Sequence, residues 1–163
     1  MDVPVTAVEL KYKVYTEEDS PYSEIQLTDP EKMSDHTVYK MAAMSRDKKS
    51  YYTQQRRYQH FEWLYDTLST KFPGVIIPPI PEKRIFGRFD SEFVEARRFF
   101  LETFLKKINQ HPILMGTEEF RSFVHSSNPG ELVKKESKSL MSFVGVFTEG
   151  SAAFTGGTAF SKR

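Results

Sequence analysis

Residues 50–74 read SYYTQQRRYQHFEWLYDTLSTKFPG, and a change of period inside this stretch decides the fold. Up to Gln55 the residues are of the β-favouring kind, with Tyr51, Tyr52 and Thr53 in a row. From Phe61 onward the apolar side chains return every three or four positions. Phe61, Leu64, Tyr65, Leu68 and Phe72 share one face of a helix, and Pro73-Gly74 stops it. The chain therefore passes from strand to helix at Arg57-Tyr58.

Upstream, Thr37 to Met44 is a second β-rich segment, and the polar run Arg46-Asp47-Lys48-Lys49 separates it from the first. The pair reads as a hairpin. Val5 to Tyr15 alternates apolar and polar residues with one slip, which predicts another strand, and the polar stretch Glu17 to Asp35, with turn signals at Asp19-Ser20-Pro21 and Asp29-Pro30, reads as a long loop. The N-terminal half is thus expected to be a small antiparallel meander.

Downstream, residues 75–81 read VIIPPIP, an apolar run passing into polyproline-type chain. Asp90 or Ser91 would cap a second helix, with Glu92 in its first turn and Phe93, Phe100, Leu101, Phe104 and Ile108 on one stripe. His111-Pro112 ends it. Thr117 caps a short third helix over residues 118–124, and Phe89 is expected in the core. After Asn128-Pro129-Gly130 the composition shifts. Residues 131–147 would suit a cationic amphipathic helix, and residues 148–163, rich in Gly, Ser, Ala and Thr, read as a flexible tail. The domain is expected over residues 4–127, with residues 128–163 a C-terminal linker.

The bulk properties narrow the function classes. The chain has 163 residues, 39% hydrophobic and 14% aromatic, enough for a core without metals or disulfides, and it has no cysteine. A formal charge of +1 argues against a generally basic, nucleic-acid-binding surface. There is neither a signal-peptide pattern at the N-terminus nor an apolar run approaching the ~18 residues of a spanning helix, so any membrane contact is expected to be peripheral. The four histidines, His36, His60, His111 and His125, have no metal-ligand spacing. No phosphate-binding glycine loop is present, and nothing forms a catalytic constellation, so no enzyme and no cofactor are expected.

Three basic residues stand where patterning would not put them. At about 100° per residue, Phe93, Phe100, Phe104 and Ile108 spread over roughly 80°, and Arg97 falls inside that stripe. Such an arginine needs an anion, an internal carboxylate, or a stem that snorkels to water. Arg57 offers a fork suited to phosphate, and the neighbouring Tyr58 offers a ring that can lie against a sugar-like face. Lys83 follows the stiff PPIP run, which fixes its direction. Each of the three also has an ordinary reading, as an ion-paired or solvated cation.

Taken together these segments resemble the Phox homology (PX) domain of the sorting nexin family. RRYQHFEWLYDTL (residues 56–68) is similar to its R-[RK]-Y-x-x-F-x-x-L element, PPIPEK (78–83) to its P-P-x-P-x-K element, and FVEARRFFLETFLKKINQHPIL (93–114) to its arginine-bearing helix, in the family's order. The resemblance implies an α+β fold, a three-stranded antiparallel sheet packed against a helical subdomain with a polyproline loop. It implies binding of a phosphoinositide, most often phosphatidylinositol 3-phosphate on endosomes. By it Arg57 would take the 3-phosphate, Tyr58 would pack on the inositol ring, Lys83 would meet the 1-phosphate and Arg97 the 4- and 5-hydroxyls. The loop between Lys83 and the second helix would place Ile85 and Phe86 in the bilayer. Such a protein would be cytoplasmic, recruited to endosomal membranes, with other sorting nexins or coat proteins as partners. The alternative is a PX-type protein-interaction scaffold, since Pro78 to Pro81 also forms a P-x-x-P unit that an SH3 domain docks.

Overall fold

The computed structural model of the chain describes residues 11–84 and 89–128. The chain divides into two units, Met1–Pro129 and Gly130–Arg163, and every described residue belongs to the first. The helix considered over 131–147 lies outside the described residues.

Three antiparallel strands, β1 (Tyr22–Lys32), β2 (Thr37–Ser45) and β3 (Tyr51–Arg57), form a sheet in the order β1-β2-β3. Three helices follow: α1 (Tyr58–Lys71), α2 (Ser91–Gln110) and α3 (Glu118–His125). Ile25, Leu27, Met41 and Ala43 of the sheet pack with Phe61, Leu64 and Leu68 of α1, Leu101, Phe104, Leu105 and Ile108 of α2, and Phe120, Phe123 and Val124 of α3 in one core. The α+β architecture and the β2–β3 hairpin are as the sequence leads one to expect. So are the stop of α1 before Pro73-Gly74, where Gly74 has φ +90°, and the Thr117 cap, whose Oγ1 accepts from the Phe120 N–H. Among the described residues no helix is long and apolar enough to cross a membrane.

The first strand is a correction. β1 lies inside the stretch read as a loop, while residues 11–16, the end of the alternating run, form no strand and residues 5–10 lie outside the described residues. β1 buries only Tyr22, Ile25 and Leu27, too few to stand out against its polar neighbours. Its Asp29-Pro30 turn signal is absorbed as a bulge, with Asp29 at φ +48° and the register shifting between Thr28 and Glu31. Proline is tolerated there because β1 is an edge strand.

That edge is covered by side chains of α2. Asn109 accepts from the Tyr22 N–H at 3.3 Å and donates to the Tyr22 carbonyl at 2.8 Å. Farther along, Glu102 accepts from the Leu27 N–H at 2.9 Å while Arg98 donates to the Leu27 carbonyl at 2.7 Å. Arg98, Glu102 and Asn109 are spaced i, i+4, i+11, one stripe of the helix, and they act on β1 as the backbone of a further strand would.

The buried face of α2 consists of Arg97, Leu101, Phe104, Leu105, Ile108 and Asn109. Phe100, expected on that stripe, is 54% exposed beside Phe99. The sheet lies on the Leu101–Leu105 side, so the core sector is turned away from Phe100, yet Arg97 remains within it.

Arg56 is 1% exposed and has no carboxylate among its hydrogen-bond partners. Its Nε donates to the Phe123 carbonyl at 3.0 Å, Nη2 to that of Ser126 at 2.6 Å, and Nη1 to that of Gln55 at 2.8 Å. The guanidinium also lies 5.2 Å from the centre of the Phe123 ring. Burial pulls its pKa down to about 10, still charged at neutral pH. The Phe123 and Ser126 carbonyls are those left over at the C-terminal end of α3, the negative end of its dipole. Arg56→Met, which keeps the stem and removes the donors, is expected to lower the unfolding free energy in urea by about 2–4 kcal/mol, with Arg56→Lys intermediate.

Candidate functional site

The site begins at the junction of β3 and α1. Strand alternation sends Arg56 toward α3 and Arg57 to the other side. Arg57 is the N-cap residue of α1, and its backbone N–H donates to His60 Nδ1 at 3.1 Å. Tyr58 opens the helix, and its hydroxyl donates to the Pro81 carbonyl at 2.6 Å, which pins the ring to the proline-rich chain. That chain is held in turn by Val75, Ile77 and Ile80, which pack partly buried on the core. The approach to Lys83 is therefore rigid at both ends.

Arg97 is 8% exposed. Its guanidinium carbon lies 4.5 Å from the centre of the Tyr58 ring and 4.4 Å from that of Phe93, so two aromatic faces hold it. Nη2 donates to the Glu82 carbonyl at 3.3 Å, and the buried Nε has no hydrogen-bond partner among the described residues. Burial lowers its pKa, and Tyr39, Tyr58 and Glu62 oppose the shift. A charged group is thus held in place by packing with a donor left over, which explains its place on an otherwise apolar face.

Lys83 stands at the mouth, its Nζ 3.3 Å from Glu62 Oε2, and Arg84 lies 4.7 Å from the centre of the Phe93 ring. Across from them, His36 Nδ1 meets Asp35 Oδ1 at 2.6 Å, a contact that lowers the Asp35 pKa.

Arg57, Tyr58, Lys83 and Arg97, from three separate segments of the chain, all line one cleft of about 270 Å³. Ile85 and Phe86 lie outside the described residues. Phe89 is a correction: it is half-buried, lines this cleft rather than the core, and carries Lys32 Nζ 4.6 Å above its ring. Placed one residue before the Asp90 cap of α2, it reaches the cleft wall and not the space between sheet and helices. Tyr39, Asp35, His36 and Glu62 also line the cleft and were not singled out as site residues from sequence. Only Glu62 carried a legible signal, since it follows Tyr58 by one helical turn. Among the described residues no group of three His, Asp or Glu side chains could hold a metal. Chemically the cleft offers guanidinium and ammonium donors around an aromatic wall, an arrangement suited to an anion joined to a ring.

Comparison with known proteins converges on one family. The family model described as PX domain matches residues 44–127. The chain is 44% identical over 110 residues to the vacuolar protein sorting-associated protein vps5 of Schizosaccharomyces pombe, covering 63% of this chain and 19% of that protein. It is 42% identical over 98 residues to mouse sorting nexin-30, covering 58% of this chain and 22% of that protein. The chain thus spans about a fifth of the length of these curated relatives. Among solved structures, a designed CISK-PX domain is similar with a TM-score of 0.57 and 28% identity, over 63% of this chain and 99% of that one.

His60 ties the site to stability. It is 8% exposed, and its Nδ1 accepts from the Arg57 N–H, so it is held neutral. Burial, then the charges of Arg56, Arg57 and His36, brings its pKa from 6.5 down to about 4. Between those values the unfolded chain binds a proton that the folded chain does not, so stability falls as pH drops from 6.5 toward 4. His60→Gln keeps an acceptor without the titration. Its unfolding free energy, measured in urea across this window, is expected to depend less steeply on pH, by up to about 1.4 kcal/mol per unit; His111 and His125, whose pKa values burial also lowers, keep part of the slope.

Proposed function

Because the chain belongs to the PX domain family, we propose that its cleft binds the headgroup of a phosphoinositide, phosphatidylinositol 3-phosphate above all, and so recruits the protein from the cytoplasm to endosomal membranes. The observation that carries this reading is the convergence of Arg57, Tyr58, Lys83 and Arg97 on one cleft, with the buried Arg97 Nε lacking a partner among the described residues. Arg57 supplies a bidentate fork for the 3-phosphate. Tyr58, immobilised through Pro81, offers its ring to the inositol. Arg97, fixed between two rings, meets the 4- and 5-hydroxyls, and Lys83 at the rim meets the 1-phosphate that joins headgroup to lipid. A volume of about 270 Å³ is below the range typical of sites for larger ligands, ~300–1,000 Å³, and suits a headgroup rather than a whole lipid. Ile85 and Phe86, next in sequence after Lys83 and Arg84, enter the acyl region, with the basic residues facing the lipid phosphates.

The use of the proline segment as a docking motif for another protein is less favoured by the packing. Pro78 is buried, Ile77 and Ile80 face the core, and the Pro81 carbonyl is taken by Tyr58, so the segment is packed down and braces Tyr58 and Lys83 at the cleft. The relatives bear the names of vacuolar protein sorting and sorting nexin proteins. By that likeness the chain acts in membrane sorting, with other sorting nexins or coat proteins as partners.

Co-sedimentation with vesicles that each carry a single phosphoinositide tests the reading. Wild type is expected to bind 3-phosphate vesicles selectively, and Arg57→Ala to lose at least ~10-fold in affinity, the effect of losing one charge-assisted pair. Binding that ignores lipid identity, or is untouched by Arg57→Ala, would overturn it. Phe86→Ser is expected to weaken vesicle binding while leaving binding of the soluble headgroup intact.

A further inference from the structure

Glu62 has no part in the roles assigned above, yet it faces the same cleft. It leaves α1 on the same face as Tyr58, one turn on. Its side chain is 28% exposed, and its carboxylate holds Lys83 Nζ at 3.3 Å. Burial dominates the pKa shifts of the Tyr58 hydroxyl, which is raised, and of the Arg97 guanidinium, which is lowered; the Glu62 charge adds to the first and opposes the second. Asp35, the other carboxylate on the wall, is hydrogen-bonded to its neighbour His36 at 2.6 Å, whereas Glu62 is paired with Lys83 at the cleft mouth. Glu62 thus projects negative charge into the corner where Lys83, Tyr58 and Arg97 meet.

A fixed anion inside an anion receptor weakens every phosphate that comes near it. Uncharged hydroxyls are not penalised, because they donate to a carboxylate. A like charge close by costs far more in a partly desolvated cleft than in water, and built-in repulsion of this kind is how sites reject near relatives of their ligand.

We infer that Glu62 is a specificity-determining residue of the cleft: its carboxylate admits a headgroup that presents hydroxyls at Arg97, and turns away headgroups that carry additional phosphates there. The inference rests on the phosphoinositide reading above and deepens it, making the receptor one for a singly phosphorylated inositol ring.

The test compares wild type, Glu62→Gln, Lys83→Gln and Arg57→Ala on phosphatidylcholine vesicles. Each preparation contains one of the 3-phosphate, 3,4-bisphosphate, 3,5-bisphosphate or 3,4,5-trisphosphate lipids. Glu62→Gln is nearly isosteric and removes only the charge. It is expected to raise 3-phosphate binding slightly, by releasing Lys83, and to raise binding of at least one of the more highly phosphorylated lipids by ~10-fold or more beyond that. The readout is the ratio between lipids, which a merely structural role would not move. An unchanged ratio would overturn the inference while leaving the cleft assignment standing. So would an equal loss on all lipids of the kind Lys83→Gln produces, since Glu62 would then serve only to orient the lysine. If wild type does not prefer the 3-phosphate lipid over bare vesicles, or Arg57→Ala binds as wild type does, the cleft assignment itself fails and the inference falls with it. Should Glu62→Gln fail to fold by thermal unfolding, Glu62→Ala provides the same comparison.

Discussion

The guanidinium of Arg56 reaches across from the last strand and gathers the carbonyls of Phe123 and Ser126 at the end of α3. A buried charge with no carboxylate partner is expensive, and here backbone dipoles meet it instead. The contact joins sheet to helices and fixes the direction of the chain at the next residue. With Arg56 turned toward α3, Arg57 must face away from it, and Tyr58 begins α1 at the cleft. His60 completes the turn by accepting the Arg57 N–H, and it does so only while neutral.

α2 serves two purposes at once. Along one stripe, Arg98, Glu102 and Asn109 satisfy the open edge of β1, which has few apolar contacts of its own. On the adjoining face, Leu101, Phe104, Leu105 and Ile108 fill the core, and one turn before Leu101 stands Arg97. The helix is therefore anchored along most of its length before it presents that arginine. Its side chain then has little freedom, because Tyr58 and Phe93 enclose the guanidinium. A preorganised cation gives up less entropy when it meets a ligand than a free one at the surface does.

The cleft is not uniformly basic. Glu62 and Asp35 stand among Arg57, Lys83, Arg84 and Arg97, and each carboxylate has a partner at hand. Such mixing lowers the attraction for any polyanion and leaves discrimination to the places where particular charges sit. This fits a chain of nearly balanced charge, formally +1, in which the positive field is local and not spread over the surface.

The α+β class, the β2–β3 hairpin and all three helices were legible in the residue pattern, because their apolar periods are strong and proline, glycine or threonine marks their ends. Arg97 was legible as misplaced, since a charge on a helical stripe needs only the 3.6-residue period to be seen. β1 was not, because a strand with three buried residues and a proline bulge carries less periodic signal than the alternating residues 5–15 before it. Its place depends on contacts from Asn109 and Glu102, more than 70 positions away. Nor could the chain alone say why Arg56 and Arg57, neighbours of one type, differ so completely, one locked on carbonyls and the other open to the cleft. Sequence determined which residues could carry charge and where each helix would run. Tertiary structure decided which of those charges were already spent on the backbone and which were left free, because burial and partners depend on elements that meet only in the folded chain.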